Sequence, residues 1–193
     1  MSRIPIALAL AVRQAGLALV LLWAGAQGSA VAAQFWASVA DGTVVLFRHA
    51  LAPGGGDPPG FQLNDCSTQR NLSPEGRAQA RRIGDAFQRR GIRVAAVWSS
   101  QWCRTRETAD IAFPTQRIDQ PAFNSFFSEQ EAAASQTQQA LRLLSAWRGP
   151  GVLVVVTHQV NITALTDVVP ASGEGVVVKP TATGLQVVGR ITP

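Results

Sequence analysis

The sequence is poor in lysine and cysteine, and each scarcity excludes a class of site. Lys179 is the only lysine among 17 basic residues, and no Lys/Arg run of the kind that follows a phosphate backbone occurs. We therefore predict no nucleic-acid partner. Cys66 and Cys103 are too few and too far apart for a structural zinc site. We expect neither a metal nor a cofactor.

The N-terminal segment has the order of a secretory signal peptide. Arg3 and Arg13 precede the apolar run 15–26, and small residues follow at 28–33. The apolar run is about half as long as a membrane span requires, so we predict cleavage after residue 33 and no stable span afterwards. An uncleaved anchor is the alternative. Residues 34–193 are long enough for one domain with a complete core.

Export has consequences for charge and for the two cysteines. Removing two arginines with the segment lowers the formal charge from +5 to +3, which is too small an excess to indicate a polyanionic partner. We predict a periplasmic or secreted protein. An even cysteine count in such a protein favours one Cys66–Cys103 disulfide, although two unpaired thiols remain the alternative.

The hydrophobic pattern alternates between strands and helices and predicts an α/β fold with a largely parallel sheet. Short apolar, β-branched runs are typical of strands that are covered on both faces, and they occupy 43–47, 94–98 and 152–156. Helices are predicted to start at Pro74, near 101–104, at 132 and at 161. Residues 117–119 suggest a short strand, and 175–179 with 185–190 suggest a terminal hairpin.

The three buried strands end in residues that suit an anion site. They run into Arg48-His49, Ser99-Ser100 and Thr157-His158, which include both histidines of the protein. If the strands are parallel neighbours, the two imidazoles meet at one edge of the sheet, where open α/β sheets place ligands. Arg104, near the start of the following helix, points to the same place.

These motifs, together with Thr108-Ala109 after Arg104, resemble the histidine phosphatase superfamily. The resemblance runs from about Thr43 to Ala164, and residues 64–91 also resemble its exported branch of small bacterial phosphatases. It implies the phosphoglycerate-mutase-like fold, a three-layer sandwich around a mostly parallel central sheet. It also implies a phosphatase.

The resemblance assigns roles to five residues. His49 would attack phosphorus and carry the phosphoryl group as a phosphohistidine. Arg48, Arg104 and His158 would bind the equatorial oxygens, and Arg70 is a predicted further substrate contact. The implied partner is a small phosphorylated substrate, and the oligomeric state is open.

The proton donor to the leaving group is not fixed by the sequence. The family usually takes it from an acid between Arg104 and the second histidine, where this chain offers Glu129 and Glu131. Here 124–127 replaces the usual acidic surroundings, and Glu174 is a further candidate. We assign Glu129, with a pair of surface glutamates as the alternative.

A phosphatase with a cysteine nucleophile is an alternative that the spacing disfavours. A cysteine-dependent phosphatase needs its cysteine six positions before an arginine, and Cys66 lies only four before Arg70. A Cys66–Cys103 bridge would instead tie two loops of the pocket together, because Cys103 adjoins Arg104.

The leading hypothesis is therefore an exported phosphomonoesterase with a histidine nucleophile and no metal. A phosphotransferase or mutase of the same fold is the second hypothesis, and export argues against it. A catalytically inactive phosphate-binding or signalling module is the third.

Overall fold

The computed structural model of the chain describes residues 35–114 and 117–193. The predicted signal peptide and the predicted boundary at residue 34 lie outside these residues. The chain divides into two units, and everything below concerns the second, Ser38–Pro193.

One six-stranded sheet organises this unit. Its strands are β1 Val44–Arg48, β2 Val94–Ser99, β3 Arg117–Asp119, β4 Val152–Thr157, β5 Gly175–Thr181 and β6 Gly184–Ile191. Their order is β3-β2-β4-β1-β5-β6. The pairs β3–β2, β2–β4 and β4–β1 are parallel, whereas β1–β5 and β5–β6 are antiparallel. The prediction of a mostly parallel sheet with a terminal hairpin is confirmed.

Four helices connect the strands, and their sequences explain where they begin. They are α1 Pro74–Arg89, α2 Cys103–Ala112, α3 Ala133–Ser145 and α4 Gln159–Thr166. The Ser73 hydroxyl accepts a hydrogen bond from the Gly76 N–H and caps α1, whose first residue is proline. Short 3-10 helices lie at Cys66–Thr68, Pro121–Phe123 and Gln130–Ala132.

Alternation along β1 divides the core between the two faces of the sheet. Val44 and Leu46 pack into the cluster that contains Leu144 of α3 and Ile162 of α4. On the opposite face the Phe47 ring lies 6.0 Å from Phe87 of α1. Helices therefore cover both faces, as the three-layer prediction requires.

Close helix packing on the second face depends on one glycine. A Cβ on Gly84 of α1 would lie 2.4 Å from the Ala112 carbonyl oxygen at the end of α2. Only glycine allows these two backbones to approach so closely.

The prediction for the second strand was wrong in one respect. The first half of β2 is not fully covered, and Ala95 is exposed. The short β3 pairs with β2 only from Val97 onward, which leaves the start of β2 less protected than its end. Within the described ranges no helix combines the length and hydropathy that a membrane span needs.

Candidate active site

Two adjacent parallel strands bring the histidines together. β1 and β4 pair in register with Arg48 opposite Thr157, so His49 and His158 follow at the same edge. The His49 backbone N–H donates to the Thr157 carbonyl at 2.9 Å. The two imidazole rings lie 5.5 Å apart, centre to centre, in an edge-on arrangement.

The His49 ring is held as a neutral imidazole. Its Nδ1 lies 2.8 Å from the Ala50 carbonyl oxygen, which can only accept, so Nδ1 carries the proton. Burial, followed by the positive charge of Arg104, lowers the pKa of His49 to about 3. The Nε2 lone pair is therefore free at physiological pH, as a nucleophile requires.

His158 closes the other side of this edge. Its Nε2 lies 2.8 Å from the Ser100 hydroxyl, and its ring meets the Trp102 ring edge-on at 5.4 Å. Burial, followed by the neighbouring His49, lowers the pKa of His158 well below its ordinary value. Strand β2 thus contributes through Ser100, the residue directly after its last position.

Arg104 lies in the first turn of α2, and its side chain is only 3% exposed. Two hydrogen bonds fix this helix to the segment that follows β1: the Ala50 N–H donates to the Thr108 hydroxyl, which donates to the Arg104 carbonyl. Arg48 donates from Nη1 to the Pro170 carbonyl. The Nε–H groups of Arg48 and Arg104 are buried and have no hydrogen-bond partner among the described residues. Buried donors of this kind are available to bind an anion.

Arg70 approaches from the segment before α1. Its guanidinium donates to the carbonyls of Gly56 and Ala52 and so holds the Gly-rich loop that follows His49. Burial and then the charge of Arg104 lower the pKa values of both Arg48 and Arg70. Three guanidinium groups that disfavour one another's charge form a strongly anion-attracting site.

Asp57, which no sequence motif marks, is in direct contact with Arg104 and Trp102 in this site. Its carboxylate accepts two hydrogen bonds from Arg104, at 2.6 and 3.1 Å, and one from the Trp102 indole at 2.9 Å. Burial raises the pKa of Asp57, but the bonds from Arg104 and Trp102 outweigh it, so the pKa lies below its ordinary value. No spacing signal marks Asp57, because its position depends on the path of the loop.

The predicted acids lie in different places. Glu129 lines the same cavity as the two histidines and is exposed, whereas Glu131 is exposed and outside the wall. The Glu174 carboxylate accepts from the Ala171 N–H and pairs with Arg190, and it does not line the cavity. Glu129 and Asp57 are therefore the two carboxylates that the described residues bring to the cavity.

The cavity has a volume of about 350 Å³ and an aromatic wall. Phe61 stacks on Trp102 with ring centres 5.0 Å apart, and Phe127, 58% exposed, stands in the wall near Gly56. The two loops 54–58 and 125–129 supply most of the outer lining.

The predicted disulfide is confirmed. Cys66 and Cys103 are bonded, with Cα atoms 5.7 Å apart. The buried Gln69 reinforces this connection, because its side-chain oxygen accepts from the Cys103 N–H at 2.9 Å. The bridge joins the first turn of α2, which carries Arg104, to the segment that leads to Arg70.

The comparisons with known proteins agree with this geometry. The model of the histidine phosphatase superfamily (branch 1) matches residues 44–129. No curated protein sequence matches the chain significantly. The fold resembles TTHB049 from Thermus thermophilus, with a TM-score of 0.55 and 19% identity over 78% of this chain and 99% of that one.

Two further solved structures extend the likeness. The protein histidine phosphatase SixA in complex with tungstate has a TM-score of 0.54 at 13% identity, covering 78% of this chain and 97% of that one. Phosphoglycerate mutase from Thermus thermophilus has a TM-score of 0.51 at 18% identity, with coverage of 76% and 99%. The phosphoglycerate-mutase-like fold is therefore confirmed.

Proposed function

We propose that this protein belongs to the histidine phosphatase superfamily and is an exported phosphomonoesterase that works through a phosphohistidine on His49. The observation that carries the proposal is the state of His49, a buried neutral imidazole whose Nδ1–H is fixed by the Ala50 carbonyl. His49 lines a cavity together with Arg48, Arg70 and Arg104. A nucleophile and an anion site are thereby held together.

In the first half-reaction, the His49 Nε2 lone pair attacks phosphorus and the ester P–O bond breaks. The bonding electrons leave on the alcohol oxygen, which takes a proton. Charge on the equatorial oxygens is stabilised by Arg48, Arg104 and His158, and the buried Nε–H groups of both arginines supply donors for them. The Ala50 carbonyl stabilises the imidazolium that forms.

In the second half-reaction, water attacks the phosphohistidine and the P–N bond breaks, releasing phosphate and restoring neutral His49. The same guanidinium groups hold the phosphoryl group throughout. Arg70 adds a contact near the cavity's Gly-rich wall, since it also binds the carbonyl of Gly56.

Export is part of the proposal. The disulfide between Cys66 and Cys103 supports it, because such bonds persist in oxidising compartments. The order of charged, apolar and small residues before residue 34 supports a periplasmic or secreted location.

Turnover of p-nitrophenyl phosphate by purified protein tests the proposal. We expect His49→Asn to abolish turnover, because asparagine retains a donor for the Ala50 carbonyl but cannot attack phosphorus. His49→Ala should do the same. Lys179→Ala, an exposed change on β5, is the matched control and should retain full activity.

Residual activity above about a tenth of wild type in a folded His49 variant would reject His49 as the nucleophile. Binding of phosphate or tungstate without any turnover would favour the non-catalytic binding module. Transfer of the phosphoryl group between two alcohols, without net release of phosphate, would favour the mutase hypothesis.

A further inference from the structure

We propose that Asp57 donates the proton to the leaving group, and that the bound phosphoryl group itself releases Asp57 from Arg104 to do so. This inference rests on the proposed function and adds a catalytic residue to it. It replaces Glu129 as the acid.

The first step in the argument is the contact between Asp57 and Arg104. The Asp57 carboxylate accepts from both Nη1 and Nη2 of Arg104, and the Arg104 side chain is only 3% exposed beneath it. Both residues line the cavity that contains His49 and His158. A phosphoryl group that takes the two N–H groups of Arg104 now directed at Asp57 must therefore displace the carboxylate.

The second step is that the loop carrying Asp57 permits its carboxylate to move away from Arg104. Asp57 follows Gly54-Gly55-Gly56, in which Gly54 and Gly56 have φ values of 93° and 65°. Besides Arg104, the Trp102 indole and the Arg70 backbone N–H hold the Asp57 side chain. Since these glycines give the backbone before Asp57 more conformational freedom than other residues would, we expect the Asp57 carboxylate to be able to shift a short distance away from Arg104.

The third step concerns protonation. While Asp57 is hydrogen-bonded to Arg104, the pKa of its carboxyl group lies below its ordinary value, so the carboxylate is ionised. Displacement removes the hydrogen bonds from Arg104 that lower this pKa and places a phosphoryl dianion nearby, so the pKa rises. Binding of the ester therefore takes up a proton onto Asp57. Arg104 and Arg70 contact Asp57, and the other charged and titratable groups that line the same cavity are Arg48, His49, His158 and Glu129.

The proton then balances over the cycle. Asp57 gives it to the alcohol oxygen as the P–O bond breaks and the bond from phosphorus to His49 Nε2 forms. The resulting Asp57 carboxylate takes a proton from the water that attacks the phosphohistidine. When phosphate leaves, Asp57 returns to Arg104 and gives this proton up to solvent.

Glu129 is the rival for this role, and the structure separates the two residues. Asp57 contacts the phosphate-binding guanidinium directly, whereas Glu129 is exposed and forms no ion pair with an arginine of the described cavity wall. A donor must be within hydrogen-bond reach of the leaving oxygen, and that oxygen is attached to the group on Arg104.

Asp57→Asn and Glu129→Gln are the matched variants, each compared with wild type on two esters. p-Nitrophenolate leaves without a proton, whereas the alkoxide of glycerol phosphate requires one. We expect Asp57→Asn to lower kcat/KM for glycerol phosphate roughly 100-fold and for p-nitrophenyl phosphate less than about 10-fold. Inorganic phosphate should bind this variant more tightly than wild type, because a neutral amide competes weakly for Arg104.

Equal losses on both esters in Asp57→Asn would overturn the inference, as would a leaving-group-selective loss in Glu129→Gln alone. Unchanged or weaker phosphate binding by Asp57→Asn would contradict the displacement. If the wild-type protein hydrolyses both esters but Asp57→Asn does not behave as expected, only the role of Asp57 as proton donor is rejected. A wild type inactive on both esters overturns the proposed function and this inference together.

Discussion

The floor and the mouth of the cavity are built in different ways. The floor consists of His49, His158 and Arg104, all buried and tied to strand ends or to the first turn of α2, and the Ser100 hydroxyl is bonded to His158. The mouth consists of the loops 54–61 and 125–129, with Phe127 exposed. Strand ends fix the floor, whereas glycines and long connections shape the mouth.

This difference separates chemistry from selectivity. On the proposed function, groups on rigid elements hold the geometry that phosphoryl transfer requires, and every phosphate ester would meet the same floor. Loops can vary in length and side chains without disturbing the sheet. We therefore expect floor variants to affect all esters and mouth variants to affect some of them. Asp57 belongs to both regions, because it lies on a loop of the mouth and its carboxylate is bonded to Arg104 of the floor.

The largest effect should follow from the floor. Arg104→Lys keeps the positive charge but loses the planar fork that bonds two oxygens, so we expect kcat/KM to fall roughly 100- to 1,000-fold. The loss should be similar for aryl and alkyl esters, measured in parallel. A loss confined to one ester class would mean that Arg104 recognises the leaving group.

The disulfide joins the floor to the segment that carries Arg70. Cys66 and Cys103 are separated by 37 residues, so a double alanine variant should lose roughly 3–4 kcal/mol of unfolding free energy. Urea unfolding under non-reducing conditions measures this. An unchanged midpoint would show that packing around Gln69 alone holds the two segments together.

The neutral histidines of the floor should make stability depend on pH. An unfolded histidine has a pKa near 6.5, whereas that of folded His49 is about 3, so the unfolded chain binds more protons between these values. The contribution of these histidines to stability is therefore complete above about pH 6.5 and is lost as the pH falls. We expect at most about 1.4 kcal/mol per pH unit for each histidine.

Urea unfolding between about pH 7.5 and 5 tests this, in a window that avoids most carboxyl titration. His49→Asn should remove about half of the slope, leaving the contribution of His158. A stability that rises on acidification through this window would contradict a neutral His49 in the folded protein.

The smallest effect should come from the mouth. Phe127→Ala removes an exposed ring from the cavity wall and should raise KM a few-fold for aryl esters, with little change in kcat. Ile118→Ala, which removes a similarly exposed apolar side chain outside the cavity wall, is the control. Equal effects on aryl and small alkyl esters would mean that Phe127 shapes the loop and does not contact the leaving group.

The floor could be predicted from the sequence because it follows from strand positions. Buried apolar runs place Arg48, His49 and His158 at strand ends, and parallel pairing of β1 and β4 then brings the two imidazoles together. The same reasoning does not fix the proton donor. Glu129 lies in the wall, but Asp57 reaches Arg104 through a loop whose path no periodicity encodes.

Features of the fold that depend on contacts between distant segments also could not be predicted from the sequence. Apolar residues at the start of β2 suggested full burial, yet the short β3 pairs only with its second half. Glu174 was a candidate acid, but Arg190 of the neighbouring strand holds its carboxylate elsewhere. Pairing between distant segments decided both cases.

Rapid quenching of the enzyme with an ester carrying labelled phosphorus tests the central claim most directly. The account predicts one phosphoryl group on Nε2 of His49, labile in acid and stable in base, absent from His49→Asn and discharged by water. Label that survives acid, or that maps to a hydroxyl such as that of Ser100, would contradict it.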